Sequence, residues 1–140
     1  MTTLVYRDGV LASDSMCQAN GYRQPGVLTK LWRVKGRLVA GVGRSTYIER
    51  FHRWVEAGMR GQAPEMGDDA IGIVIDTDGR AREFGDCGEV STYIAPFYAW
   101  GSGMGPALGA LYMGATAERA VEVAILVDPG TGGATQSLRL

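Results

Sequence analysis

The chain has 140 residues, of which 46% are hydrophobic and 21% are charged, and its formal net charge is −1. This length predicts a single domain over residues 1–140 with a core of its own. The near-neutral charge argues against nucleic acid and against an anionic membrane surface as partners. There is no leader-like apolar segment and no run long enough to span a bilayer, so we expect a cytoplasmic protein. Cys17 and Cys87 form neither a disulfide framework nor a metal-ligand spacing.

The first half of the chain reads as hairpins separated by one loop. Strands at Thr3–Tyr6 and Val10–Asp14 are joined by an Asp-Gly pair, which is typical of a tight turn. The next segment, "SMCQANGYRQPG", is polar and ends in Pro-Gly, so we expect a loop. A second hairpin follows in "VLTKLWRVKGRLVAGVG", with Lys-Gly at its turn.

Helices and further strands alternate in the rest of the chain. The apolar spacing in "STYIERFHRWVEAGM" predicts a helix capped by Ser45 or Thr46. A third hairpin turns at Asp78-Gly79, and strand-like composition continues to Gly101. Helices are predicted over Ser102–Met113 and Thr116–Leu126, and a Gly-rich turn then leads to a final short strand. Antiparallel hairpins with helices grouped between them predict an α+β layered fold.

The residues that usually carry hydrolytic chemistry are scarce. The one histidine, His52, lies in the middle of a predicted helix beside Phe51 and Trp54, where a structural or surface role is expected. A Ser-His-Asp or Cys-His device is therefore not favoured. A hydrolase without histidine needs another base, and an α-amino group has a reference pKa of about 7.7–8.0. Such an amine can accept a proton from an adjacent hydroxyl at neutral pH.

Six motifs follow one another along the chain: "TTLVYRDGVLASDS", a lysine in "LTKLWRV", "AGVGRS" entering a helix, "GIVIDTDGRAREF", "WGSGMGPALGAL" and "DPGTGG". In this order they resemble the proteasome β-subunits and HslV-type peptidases, which are N-terminal-nucleophile (Ntn) threonine hydrolases. The resemblance covers nearly the whole chain. It implies an Ntn-hydrolase-like fold in which antiparallel sheets form an αββα sandwich.

The resemblance also implies roles for residues near the start of the chain. Thr2 matches the nucleophile once Met1 has been removed. Asp14 matches the aspartate that pairs with the catalytic lysine, and Lys30 matches that lysine. A nearby cation stabilises the neutral amine and the negative threonine oxygen.

Further roles are implied for residues later in the chain. Ser102 matches the serine near the terminal amine. Asp128 and Thr131 match the late aspartate and hydroxyl residue that orient the N-terminus, with Thr where the family commonly has Ser. The backbone N–H of Gly43 is the best candidate for the oxyanion hole.

Strand periodicity adds an expectation about the substrate pocket. In "VLTKLWRV", alternate residues of a strand share a face, which groups Leu28, Lys30 and Trp32. If Lys30 points at the nucleophile, Leu28 and Trp32 point the same way and line the pocket. An aromatic or apolar substrate preference follows as a hypothesis.

The chain departs from the family after its first predicted helix. The family usually has a second long helix there, whereas Gly61, Pro64 and Gly67 disfavour one in this chain. We therefore expect one outer helix to be shortened or missing. These helices take part in subunit stacking in the family, so ring size and symmetry stay open although a homo-oligomer is expected.

Two functions remain compatible with the sequence. The first is a threonine-type peptidase that acts on peptides or unfolded proteins within a self-compartmentalising oligomer. It would use no metal or organic cofactor, and an ATPase partner stays unknown. The alternative is a catalytically inactive scaffold that keeps the fold for assembly, since each motif alone also has an ordinary structural interpretation. Retention of Met1 favours the scaffold, because Thr2 then has no free amine.

Overall fold

The computed structural model describes the backbone of residues 1–140 and the side chains of all of them except residues 89 and 90. The strands in chain order are β1 (Thr3–Arg7), β2 (Val10–Ser13), β3 (Cys17–Ala19), β4 (Tyr22–Gln24), β5 (Leu31–Val34), β6 (Arg37–Val42), β7 (Ile71–Ile75), β8 (Ala81–Gly85), β9 (Gly88–Tyr93), β10 (Phe97–Gly101) and β11 (Gln136–Arg139). The helices are α1 (Ser45–Glu56), α2 (Met104–Tyr112) and α3 (Ala117–Val127). The chain is α+β and its sheets are antiparallel. An Ntn-hydrolase-like αββα sandwich stays a prediction.

The chain divides into two compact units. The first unit comprises residues 1–31 and 96–139, and the second comprises residues 32–95 with Leu140. A single domain over residues 1–140 stays a prediction. Among the described residues, no helix combines the length and apolarity that crossing a bilayer requires.

The first unit is built on a four-stranded sheet of order β10-β1-β2-β11. A separate two-stranded hairpin, β3-β4, follows β2 along the chain. Helix α3 packs on β1 and β2, and helix α2 packs on β10 and β1. The strands supply Val5 and Ala12 to this core, and the helices supply Leu111, Val121 and Ala124, all buried. Because side chains alternate along a strand, this packing fixes which face of β1 meets the helices. The residues at the start of β1 are thereby held in place.

The second unit is a five-stranded sheet of order β5-β6-β7-β8-β9 with α1 packed on β6 and β7. Gly41 and Gly72 face each other in the β6–β7 register. A Cβ at Gly41 would lie 2.9 Å from the side chain of Ile48, and one at Gly72 would lie 2.7 Å from the ring of Phe51. The glycines therefore let α1 approach the sheet closely.

The tight turns follow the sequence, with one prediction wrong. Asp8-Gly9, with φ values of 51° and 79°, forms the predicted two-residue turn between β1 and β2. The segment predicted as a loop contains the β3-β4 hairpin instead, turning at Asn20-Gly21 with φ values of 52° and 80°. Asn-Gly favours this turn for the same steric reason, because both residues tolerate a positive φ.

The three helices lie at the segments predicted for them, but the capping residue predicted for α1 is wrong. Ser45 and Thr46 do not cap α1, because its N-cap residue is Arg44 and no side chain bonds there. Helix α3 is capped by Thr116, whose side chain accepts a hydrogen bond from the Arg119 N–H at 3.2 Å. Residues 57–70 contain no helix, as their glycines and proline predict.

Candidate active site

A buried ion pair joins the end of β2 to the segment before β5. Lys30 and Asp14 are 5% and 0% exposed, and the Lys30 Nζ donates to Asp14 Oδ1 at 3.0 Å. The same carboxylate accepts hydrogen bonds from the backbone N–H groups of Thr3 at 3.1 Å, Met16 at 3.3 Å and Gly132 at 3.1 Å. Burial of a charge is costly unless the charge is paired and hydrogen-bonded, and both conditions are met here. The structure thus brings together the predicted Lys30 and Asp14.

The Lys30 ammonium makes a second contact, with the chain terminus. Its Nζ donates to the Met1 carbonyl oxygen at 3.1 Å. That oxygen belongs to the peptide bond that precedes Thr2, so the ammonium lies one peptide unit from the Thr2 nitrogen. Thr2 itself is 8% exposed. A cation is therefore held at the bond whose cleavage would turn the Thr2 nitrogen into an amine.

Burial dominates the ionisation of Lys30. Removal from water lowers its pKa below the ordinary value of 10.5, and attraction to Asp14 only partly opposes this effect. The ammonium therefore releases its proton more readily than an exposed lysine does. A lysine of this kind suits a site in which protons move between neighbouring groups.

A second polar cluster forms at the loop that follows α3. The hydroxyls of Ser102 and Thr131 donate to the same Asp128 oxygen, Oδ2, at 2.6 and 2.5 Å, and the Gly130 N–H donates to Oδ1 at 3.1 Å. Burial alone raises the pKa of Asp128, but these hydrogen bonds and the attraction of the N-terminal ammonium outweigh it, so the pKa lies below 3.8. The predicted Ser102, Asp128 and Thr131 thus form one cluster around an ionised carboxylate.

The start of β1 is bonded to this cluster. The Ser102 N–H donates to the Thr2 carbonyl oxygen at 3.1 Å. The Thr3 Oγ1 lies 2.6 Å from the Thr131 Oγ1 and accepts from the Gly103 N–H at 2.9 Å. Thr3 is fully buried, so its hydroxyl is committed to structure. The two adjacent threonines therefore differ, because the Thr3 hydroxyl is bonded to the Ser102–Thr131 side of the cluster.

Close approach of this strand explains the Gly-Ser-Gly motif. Gly101 has a φ of 97°, and a Cβ there would overlap the Thr2 carbonyl oxygen. A Cβ at Gly103 would overlap the Thr3 Oγ1 and lie 2.8 Å from the Ala124 Cβ. The glycines are needed because the terminal strand passes directly over them. The motif therefore positions the start of β1.

Sequence reasoning missed two residues that contact Met1. The Met1 amino group donates to the Gln18 Oε1 at 3.2 Å, from strand β3. The Met1 side chain lies against Gly130, where a Cβ would overlap the Met1 Cε. The Asn-Gly turn was the signal for the hairpin that carries Gln18. The Gly-rich "DPGTGG" segment was the signal for Gly130, although only its Asp and Thr were singled out.

The predicted strand face for the substrate pocket was wrong. Strand β5 begins at Leu31, so Leu28 and Lys30 precede it and do not share a strand face with Trp32. Leu28 is 39% exposed, and its carbonyl accepts from the Gln136 side chain at 2.9 Å, which holds this segment in an irregular path. A pocket lined by Leu28 and Trp32 stays a prediction, and a shared strand face no longer supports it.

Trp32 and Gly43 belong to the second unit. The Trp32 ring stacks on His52 with centroids 4.4 Å apart, consistent with a packing role for that histidine. Gly43 has a φ of 104°, and a Cβ there would overlap the Asp69 carbonyl oxygen. Backbone packing thus accounts for glycine at position 43, and its role in an oxyanion hole stays a prediction. Within the described part of the chain, no three His, Cys, Asp or Glu side chains are grouped as metal ligands.

Comparison with known proteins gives a structural likeness. No protein-family model matches the chain, and no curated protein matches it. A structure of Thiobacillus denitrificans BPH in complex with epoxomicin is 20% identical, with a TM-score of 0.69, over 99% of this chain and 97% of that chain. A second structure of Thiobacillus denitrificans BPH is also 20% identical, with a TM-score of 0.68, over 99% of this chain and 96% of that chain. The chain therefore shares its fold with BPH.

Proposed function

We propose that this chain is a threonine-type peptidase of the Ntn class, with Thr2 as its nucleophile after removal of Met1. The observation that carries the proposal is the contact of the Lys30 ammonium with both Asp14 and the carbonyl that precedes Thr2, at 3.0 and 3.1 Å. BPH, which has the same fold, binds epoxomicin, a proteasome inhibitor. Together these observations support the same class of reaction for this chain.

The reaction begins with proton transfer within one residue. Removal of Met1 leaves a free amine on Thr2, which takes the proton of the Thr2 hydroxyl while its Oγ attacks the substrate carbonyl carbon. The Lys30 cation stabilises the developing negative oxygen and favours the neutral form of the amine. Asp14 acts as a positioning residue, since its carboxylate holds the Lys30 ammonium at this point.

The same amine completes both halves of the reaction. Attack gives a tetrahedral oxyanion, for which the Gly43 N–H is the proposed donor. The protonated Thr2 amine then gives its proton to the leaving nitrogen as the carbon–nitrogen bond breaks, which leaves an ester on Oγ. Water attacks that ester while the amine takes its proton, and the amine returns the proton to Oγ as the bond between the acyl carbon and Oγ breaks and the acid product leaves. This sequence needs neither a metal ion nor an organic cofactor.

The Ser102–Asp128–Thr131 cluster orients the terminus. Its carboxylate attracts the ammonium of Met1 while that residue is present, and the Ser102 N–H holds the Thr2 carbonyl at 3.1 Å. A terminus fixed in this way loses little conformational entropy when the reaction begins. Holding reacting groups in position in advance is a large part of the rate enhancement of an enzyme. The wider proposal includes an αββα arrangement and a self-compartmentalising homo-oligomer that admits peptides or unfolded chains. It leaves an ATPase partner open.

A catalytically inactive scaffold is the second candidate. With Met1 in place, the Thr2 nitrogen is an amide and cannot act as a base. The Lys30 ammonium is then occupied by the Met1 carbonyl. A chain that keeps Met1 would have the same fold without the reaction.

Intact mass and covalent labelling separate the candidates. A peptide epoxyketone such as epoxomicin has electrophilic carbons that a hydroxyl and an amine can both attack. We expect Met-free wild-type chain and Thr2→Ser to gain one label each, and Thr2→Ala to gain none. A wild-type chain that retains Met1, or a Met-free chain that stays unlabelled, favours the scaffold.

A further inference from the structure

We propose that the space occupied by Met1 becomes the subsite for the first residue of the leaving group, with Gly130 as its specificity-determining residue. This inference rests on the proposed function. It adds which part of the substrate binds there and which side chain that part prefers. The preferred residue is one with an unbranched apolar side chain of about the length of methionine.

The position of the amine places the leaving group. The protonated Thr2 amine must hand its proton to the leaving nitrogen, so the two nitrogens must come within about 3 Å of each other. Thr2 is 8% exposed, whereas Met1 is 62% exposed, so Met1 lies on the open side of Thr2. Removal of Met1 vacates the volume next to the new amine. The residue that carries the leaving nitrogen therefore enters that volume.

The wall of this space is made by a glycine. A Cβ at Gly130 would overlap the Met1 Cε and would lie 3.2 Å from both the Met1 Cβ and the Ser102 Oγ. Gly130 does not adopt the left-handed conformation, so its backbone does not demand glycine. Its missing side chain is instead matched by the methionine side chain that lies over it. The Gln18 Oε1 lies 3.2 Å from the Met1 nitrogen and so borders the same space.

The lining combines one negative charge with one neutral amide. The Asp128 carboxylate nearby accepts hydrogen bonds from Ser102, Thr131 and the Gly130 N–H and attracts the N-terminal ammonium, so its charge lies toward the chain terminus. The Gln18 amide both donates and accepts hydrogen bonds, so it can bind the leaving chain's backbone in either direction. An unbranched apolar side chain lying on Gly130 completes the fit.

The test uses peptides with one fixed acyl half and glycine or norleucine as the first leaving residue. We expect Met-free wild type to cleave the norleucine peptide with the higher kcat/KM. Gly130→Ala should lower the norleucine-to-glycine ratio about 10-fold or more, because its methyl group would overlap the position of the Met1 Cε, where the end of the norleucine side chain would lie. The matched control is Gly109→Ala on α2, where a Cβ meets nothing within 4 Å, and it should leave the ratio unchanged.

The outcomes separate the two proposals. Cleavage of both peptides with the same ratio in wild type and Gly130→Ala overturns the subsite and leaves the peptidase standing. If wild type lacks Met1, is not labelled by the epoxyketone and cleaves neither peptide, the proposed peptidase function is overturned, and the proposed subsite is overturned with it. If Gly130→Ala does not fold, wild type is tested alone, with norleucinamide and glycinamide competing with water for the acyl-enzyme. Greater capture by norleucinamide supports the subsite, and equal capture contradicts it.

Discussion

Lys30 and Asp14 form an ion pair of 3.0 Å in which both side chains are buried. Three backbone N–H groups also bind the carboxylate, whereas the ammonium's other bond goes to the Met1 carbonyl. The anion is thus firmly held by the fold, and the cation faces the chain terminus. This asymmetry is what a site needs if the cation is to act on a neighbouring group while its partner stays fixed.

Loss of the cation should cost both stability and activity. Lys30→Met leaves Asp14 buried without its partner, and we expect the free energy of unfolding to fall by about 3 kcal/mol. The control Lys35→Met, in the exposed turn between β5 and β6, should change it by less than about 0.5 kcal/mol. Urea denaturation of the two variants measures the difference. Equal effects would mean that the buried pair has no special role in stability.

Peptide cleavage by Lys30→Met should fall about 100-fold or more.

The adjacent threonines should behave differently when each is replaced. Thr3→Val removes the hydroxyl that bonds Thr131 and leaves the Gly103 N–H without its acceptor, so unfolding free energy should fall by about 1–3 kcal/mol. Thr2→Ala should abolish covalent labelling with a much smaller loss of stability. Thermal unfolding and labelling of both variants test this division. A stable, unlabelled Thr3→Val would mean that the chemistry has been assigned to the wrong threonine.

Ionisation of Asp128 should make stability depend on acidity. Its pKa is below 3.8 in the folded chain, so its stabilising effect is complete above that pH and is lost as pH falls through the folded-state value. The difference in unfolding free energy between wild type and Asp128→Asn should therefore be constant near neutrality and shrink in acid below pH 3.8. Asp68→Asn, at an exposed position, serves as the control. A difference that stays constant throughout the acid titration contradicts the assignment.

Glycine at position 103 should be required for packing. Gly103→Ala places a methyl group on the Thr3 hydroxyl and 2.8 Å from the Ala124 Cβ, so we expect a loss of about 1–3 kcal/mol. Gly105→Ala adds the same methyl group where nothing lies within 4 Å, and should be neutral or slightly stabilising. Thermal melts of the two variants give the comparison. Similar melting temperatures would show that the terminal strand can move away from α2.

Local patterns predicted the parts of the fold that depend on short-range geometry. Asp8-Gly9 predicts a tight turn because both residues tolerate a positive φ, and the hairpin forms there. The strand prediction around Lys30 failed because alternation of apolar residues does not mark where a strand begins. Leu28 and Lys30 are held instead by hydrogen bonds to Gln136, which is distant in sequence.

The site itself was predictable only through an ordered set of motifs. Asp14, Lys30 and Ser102 are each common residue types, and no spacing among them gives a local signal. Their meeting depends on β1 lying between β2 and β10, a long-range arrangement. Gly130 and Gln18 were missed because their contacts are with Met1, whose placement cannot be derived from local sequence patterns.

The most direct measurement is the mass of the tryptic peptides after treatment of the purified chain with epoxomicin. We predict that Met1 is absent and that the label lies in the peptide that spans residues 2–7, with no label in Thr2→Ala. A Met-free chain whose label lies elsewhere, or that carries none, would contradict Thr2 as the nucleophile.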